Sequence, residues 1–120
     1  MMIAGCSGWK NLTLDAAFVA YSTATHPKYR VNGNLVTVTG AVSPVTAYNT
    51  EVGKIPFASG IPAALRPSTP YSFVCQGSGL NKWACGVETN GTLTINRYGT
   101  TENATVPTTA WLIFNCTYSI

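Results

Sequence analysis

YSFVCQGSGLNKWACGVE, residues 71–88, is the stretch whose reading decides the fold. Two short runs flank Gly77-Ser78-Gly79-Leu80-Asn81, and folding them back as a hairpin sorts their side chains by parity. One face collects Tyr71, Phe73, Cys75, Trp83, Cys85 and Val87, while the other collects Ser72, Gln76, Lys82 and Glu88. Such sorting belongs to a strand with one buried face. Cys75 and Cys85 become diagonal neighbours among aromatic residues, so a disulfide between them stays open in this register.

The same alternation extends outward in both directions. Lys28 to Val31 and Leu35 to Val42 flank Asn32-Gly33-Asn34, a hairpin signal, and Val36, Val38 and Val42 share a face with Gly40. Glu51 to Ile55 reads as a short strand stopped by Pro56. Asn90-Gly91 turns the chain into Thr92 to Arg97, with Leu93 and Ile95 inward. A polar loop, Gly99 to Thr109, leads to a last strand from Trp111 to Tyr118. It carries Leu112 and Phe114 on one face and Trp111 and Ile113 on the other, so both faces need cover. Asp15 to Tyr21 can form at most a turn or two with Asp15 as N-cap, and no convincing helix is present. Seven or eight short strands predict an all-β, antiparallel sandwich or jelly-roll-like domain. Residues 9–120 form its single core, and residues 1–8 read as a flexible N-terminal segment or domain boundary. Met1 to Cys6 superficially looks like the end of a lipoprotein signal, but the basic and apolar regions of such a signal are missing.

Composition narrows the function. Apolar residues make up 46%, enough for a core, yet charged residues make up only 9%, with Thr, Asn, Ser and Gly carrying the polar load. The net charge of +3 comes from scattered cations, with none closer than Lys28 and Arg30. No basic run exists to neutralise a row of phosphates, and no segment has the length and apolarity of a membrane helix. Neither nucleic-acid binding nor membrane insertion is expected.

Cys6, Cys75, Cys85 and Cys116 show no Cys-x-x-Cys spacing, and the only histidine is His26. No metal or other cofactor is therefore expected. Two disulfides are arithmetically open, with three pairings, but free buried thiols fit a domain large enough to fold without staples. Catalysis needs a positioned proton carrier or a nucleophile beside a base. Asp15, Glu51, Glu88 and Glu102 form no recognisable pair, and a His26–Cys6 dyad has no support. A non-enzymatic domain is expected. Four N-x-S/T matches, at Asn11, Asn90, Asn103 and Asn115, are chance-level in so Asn- and Thr-rich a chain, and two fall in or beside expected strands.

The order of motifs carries a resemblance. Gly8-Trp9 leads to Leu12-Thr13-Leu14, then to Lys28-Tyr29-Arg30-Val31-Asn32-Gly33-Asn34 and Val36-Thr37-Val38-Thr39-Gly40-Ala41-Val42. Ile55-Pro56, Leu65-Arg66-Pro67 and Asn90-Gly91-Thr92-Leu93-Thr94-Ile95 follow, and a strand from Trp111 to Tyr118 closes the chain. From Trp9 onward this resembles the C-terminal head domains of bacteriophage tail-fibre, baseplate and receptor-binding proteins. The resemblance implies a homotrimeric head at a virion tip, extracellular when it acts, that attaches to a host cell-surface saccharide or protein. The chain departs from the family pattern in the stretched Ile55 to Pro67 segment, in Leu65 where an aromatic is common, and in its four cysteines.

Sugar sites combine aromatic platforms with amide and charged groups on loops. Two loops have that chemistry: Tyr48, Asn49 and Glu51 in one, and Arg97, Tyr98, Glu102 and Asn103 in the other. Trp9, Trp83 and Trp111 are expected in the core or at an interface, and Trp111 and Ile113 are where subunits are expected to meet. Two other readings use the same fold: a structural trimerisation or capsid-decorating module without a ligand, and a secreted cellular adhesin or lectin-like domain.

Overall fold

The computed structural model describes residues 8–101 and 103–120. The expected N-terminal segment, 1–8, therefore lies outside the described residues apart from Gly8. The chain is all-β and antiparallel. Seven strands have five residues or more: β4 (Lys28–Asn32), β5 (Leu35–Pro44), β7 (Ile55–Ser59), β8 (Tyr71–Gln76), β9 (Lys82–Val87), β10 (Leu93–Gly99) and β12 (Leu112–Ser119). Short pieces fill the gaps: β1 (Lys10–Asn11), β2 (Thr13–Leu14), β3 (Phe18–Ala20), β6 (Tyr48–Asn49) and β11 (Thr105–Val106). One five-stranded sheet runs β1-β4-β5-β12, with β3 also on β5; the other runs β2-β7-β10-β9-β8; β6 and β11 pair separately.

The two sheets face each other across one core. Val36, Val38, Val42, Leu112 and Phe114 from the first meet Phe57, Trp83, Cys85, Val87, Leu93 and Ile95 from the second, all buried. At the centre the Phe57 ring lies edge-on to Phe114 at 5.2 Å and to Trp83 at 5.7 Å. Each such contact contributes about 0.5–1.5 kcal/mol beyond the area it buries. The indole N–H of Trp83 donates to the carbonyls of Gln76 at 3.0 Å and Ile113 at 3.2 Å, joining the two sheets at one polar point. A buried indole needs such partners.

The 71–88 hairpin has the expected register: Tyr71 opposes Val87, Phe73 opposes Cys85 and Cys75 opposes Trp83. The 28–42 hairpin closes through a two-residue loop, Gly33-Asn34, with Gly33 at φ +65°. Only glycine takes that conformation without steric cost, and it belongs at the first position of a type II′ turn. Gly40 meets a different demand. A Cβ there would lie 2.9 Å from Pro27 Cα and from the Thr25 carbonyl oxygen, so the backbone of the 22–27 loop can pack directly on β5.

Several expected elements differ. Thr50–Val52 is a 3-10 turn rather than part of a strand, and β7 passes through Pro56 instead of ending before it. Proline is tolerated there because β2 reaches only Ala58 and Ser59 and the pairing with β10 is itself irregular between Leu93 and Thr94. Asp15 caps a single turn, its carboxylate accepting from Ala17 N–H at 3.0 Å. The chain then enters β3, because the β-branched Val19 suits a strand. The last strand begins at Leu112. Trp111 precedes it, and the outward row is Ile113, Asn115, Thr117 and Ser119, so only its first member is apolar.

Candidate functional site

Strand β10 places the first candidate residue. Strict alternation from Leu93 and Ile95 would turn Arg97 inward and Tyr98 outward. A bulge prevents this: pairing with β9 jumps from Asn96–Ala84 to Gly99–Lys82. Within the bulge Arg97 takes φ +54°, a left-handed conformation that costs a side-chain-bearing residue about 1–2 kcal/mol. The extra residue reverses the parity. Arg97 is exposed and Tyr98 is buried at 4% exposure. Bulges of this kind re-aim side chains at the margins of sites.

Arg97 thereby lines a hollow of about 280 Å³ on the outer side of the second sheet. Lys82 lies across from the bulge, Val74 and Ala84 supply apolar surface, and Thr100 and Thr101 add hydroxyls. Among the described residues, none of those lining it is acidic. Val74, which the alternation sends outward, is 81% exposed. Two cations, two hydroxyls and a small apolar floor match a ligand that carries negative charge, hydroxyls and some C–H surface.

The 48–51 loop is tied to the segment that follows the bulge, whose Ala104 packs against Gly99. Pairing of β6 with β11 sets Asn49 opposite Thr105 and Tyr48 opposite Val106. Thr50 N–H donates to the Ala104 carbonyl at 3.0 Å, and Ala104 N–H donates back to Thr50 Oγ1 at 3.0 Å. The neighbouring Asn103 is exposed, and its carbonyl accepts from Thr101 Oγ1 at 2.9 Å. Tyr48, Asn49 and Thr50 are thus joined to Ala104, Thr105 and Val106, next in the chain to Asn103.

Their individual roles separate. The half-buried Tyr48 packs edge-on to Phe18 at 6.3 Å, and burial pushes its phenol well above the ordinary value. Its hydroxyl has no hydrogen-bond partner among the described residues. Asn49 is occupied locally, its carboxamide oxygen accepting from Glu51 N–H at 2.9 Å, and Glu51 is exposed on the 3-10 turn. The Tyr98 ring faces inward and cannot serve as an outward platform without moving. Glu102 lies outside the described residues.

Trp9 is expected in the core or at an interface. It does not enter the core but stays 43% exposed, with the Arg30 guanidinium 4.7 Å and the Lys28 ammonium 5.3 Å from its ring centroid. This aromatic–cation group sits on the outer side of the first sheet, beside Thr37 and Thr39, which pair with Arg30 and Lys28 in the ladder. The parity of Lys28 and Arg30 on β4 was the signal available in the sequence. Trp83 is buried as expected, and Trp111 and Ile113 are half-buried.

The remaining reactive groups are committed elsewhere. Glu88 pairs with Lys54 at 2.9 Å and accepts from the Thr94 hydroxyl at 2.9 Å. His26 Nε2–H donates to the Leu12 carbonyl at 2.8 Å, tying the link between β1 and β2 to the loop before β4. Cys6, its conjectured partner, lies outside the described residues. Cys75, Cys85 and Cys116 are free thiols. Among the described residues no group of three His, Cys, Asp or Glu is arranged to hold a metal ion, and no helix is long and apolar enough to cross a membrane. Compared with known protein families and with curated proteins, the chain matches none.

Proposed function

We propose that this chain is the attachment head of a bacteriophage tail fibre, baseplate or related virion tip, a jelly-roll-like domain working as a homotrimer that grips host cell-surface saccharide. The observation that carries the reading is the bulge at Arg97, which holds a cation in a strained backbone conformation beside Lys82 over a hydroxyl-lined hollow. Strain retained at an exposed cation is the mark of a binding position rather than of a packing one. The paired cations Arg97 and Lys82 favour acidic sugars over neutral ones. The Trp9–Arg30–Lys28 group, an aromatic ring with two cations, supplies a second contact point.

The test is a glycan array carrying acidic and neutral saccharides, probed with the purified domain and with Arg97→Ala and Lys82→Ala. Retention on acidic saccharides, lost in both variants, is the expected result. No retention at high protein concentration, together with a trimeric mass in solution, points instead to a structural virion module. That second reading has its own support, because the open edges β8 and β12 lie side by side on one flank with the half-buried Ile113 between them.

A further inference from the structure

We propose that Cys75 and Cys116 form a reversible inter-sheet disulfide, with a small-molecule disulfide such as oxidised glutathione as the oxidant. Cys75 lies on β8, the open edge of the second sheet, and Cys116 lies on β12, the open edge of the first. Their sulfurs are 3.9 Å apart. No ladder hydrogen bond joins these two strands, so a bond here links elements that are otherwise held by packing and by the Trp83 indole. The arrangement is independent of whether the domain binds sugar.

Access differs among the three described thiols. Cys85 is fully buried and Cys116 is 2% exposed, whereas Cys75 is only half-buried and lines an open groove with Val74, Gln76, Ile113 and Asn115. An oxidant in solution therefore meets Cys75 first. Hydrogen bonding with Cys116 and then Cys85 lowers the pKa of the Cys75 thiol, while hydrogen bonding with Cys75 raises the Cys116 thiol to about 12. Thiolate character accordingly concentrates at the accessible sulfur.

The chemistry runs in two displacements. The Cys75 thiolate attacks one sulfur of the small disulfide, forming a Cys75 mixed disulfide and expelling one thiolate, which takes a proton from solvent. Cys116 then loses its proton to solvent and attacks Cys75 Sγ. The mixed S–S bond breaks, the Cys75–Cys116 bond forms and a second thiolate leaves. Two protein thiols are oxidised, one small disulfide is reduced to two thiols, and Cys85 stays reduced. The bond closes a loop from residue 75 to residue 116, long enough to constrain the unfolded chain substantially.

The experiment incubates the reduced, full chain with oxidised glutathione and maps disulfide-linked peptides by mass spectrometry, with thermal unfolding measured alongside. A Cys75–Cys116 linkage, reversed by dithiothreitol and raising Tm by roughly 10 °C, is expected. Cys116→Ser should stop at the Cys75–glutathione mixed disulfide, and Cys85→Ser should leave the linkage intact. Linkage of Cys75 to Cys85 or to Cys6, or a wild-type chain that stops at the mixed disulfide, overturns the proposal. The wild-type peptide map decides the matter even where a variant fails to fold.

Discussion

The β5–β12 ladder and strand β10 are built on opposite terms. The first runs through eight consecutive pairs, from Leu112–Val42 to Ser119–Leu35, with no break in register. The second is irregular on both flanks, shifting against β7 between Leu93 and Thr94 and against β9 between Asn96 and Gly99. Continuous pairing fixes every side chain by parity, so that region supplies core. Broken pairing releases side chains from parity, and that region supplies the exposed cation and its hollow. Scaffold and candidate site are thus separated by regularity of register rather than by sequence position.

Substitutions can break this contrast, and the largest effect is expected in the regular half. Phe114→Ala removes the ring that Phe57 and Trp83 both contact, and should cost about 3–5 kcal/mol in denaturant unfolding. Gly40→Ala should cost about 1–3 kcal/mol, because the new methyl meets the backbone of Pro27 and Thr25 rather than a yielding side chain. If either change proves neutral, the ladder is not the rigid half.

The bulge predicts an inverted preference. Arg97→Gly should leave stability within about 0.5 kcal/mol of the parent, since relief of the left-handed strain offsets the added chain entropy. Arg97→Val should cost about 1–2 kcal/mol, a β-branched residue being poorly suited to φ +54°. Equal effects from the two variants would remove the evidence of strain.

The gentlest effect is a pH dependence rooted in the regular half. Burial raises the Tyr118 phenol from 10.0 to about 12, and its hydroxyl donates to the Leu65 carbonyl at 2.8 Å. Above pH 10 the unfolded chain releases this proton before the folded one does, so stability is full below pH 10 and falls as pH rises toward about 12. Tyr48, shifted the same way by burial, adds to the fall. Tyr118→Phe should flatten the curve of Tm against pH without abolishing it.

What the sequence made legible follows the same division. The 71–88 and 28–42 hairpins, the inward valines and the inward Leu93 and Ile95 are all functions of period two, which the order of residues displays directly. Pro56 inside β7 was hidden because its tolerance depends on where β2 stops and β10 bulges, which are non-local facts. Arg97 was selected for its chemistry, but the parity reversal that exposes it and buries Tyr98 comes from a bulge with no flanking sequence signal. Residue type puts Trp9 in the core or at an interface, and the two cations on β4 hold its ring outside the core. The joining of residues 48–51 to 103–106 needs a strand pair of two residues each, below the length that alternation can reveal.

Trp83 gives the molecule its own optical gauge. Its indole is 1% exposed, touches Phe57 and Phe114, and shares its N–H between carbonyls that belong to different sheets. Any parting of the sheets at the β8–β12 flank must strip one of those acceptors and admit water to the ring. In a chain where Trp9 and Trp111 already face partly outward, a red shift confined to the buried emitter would report that parting before the fold is lost.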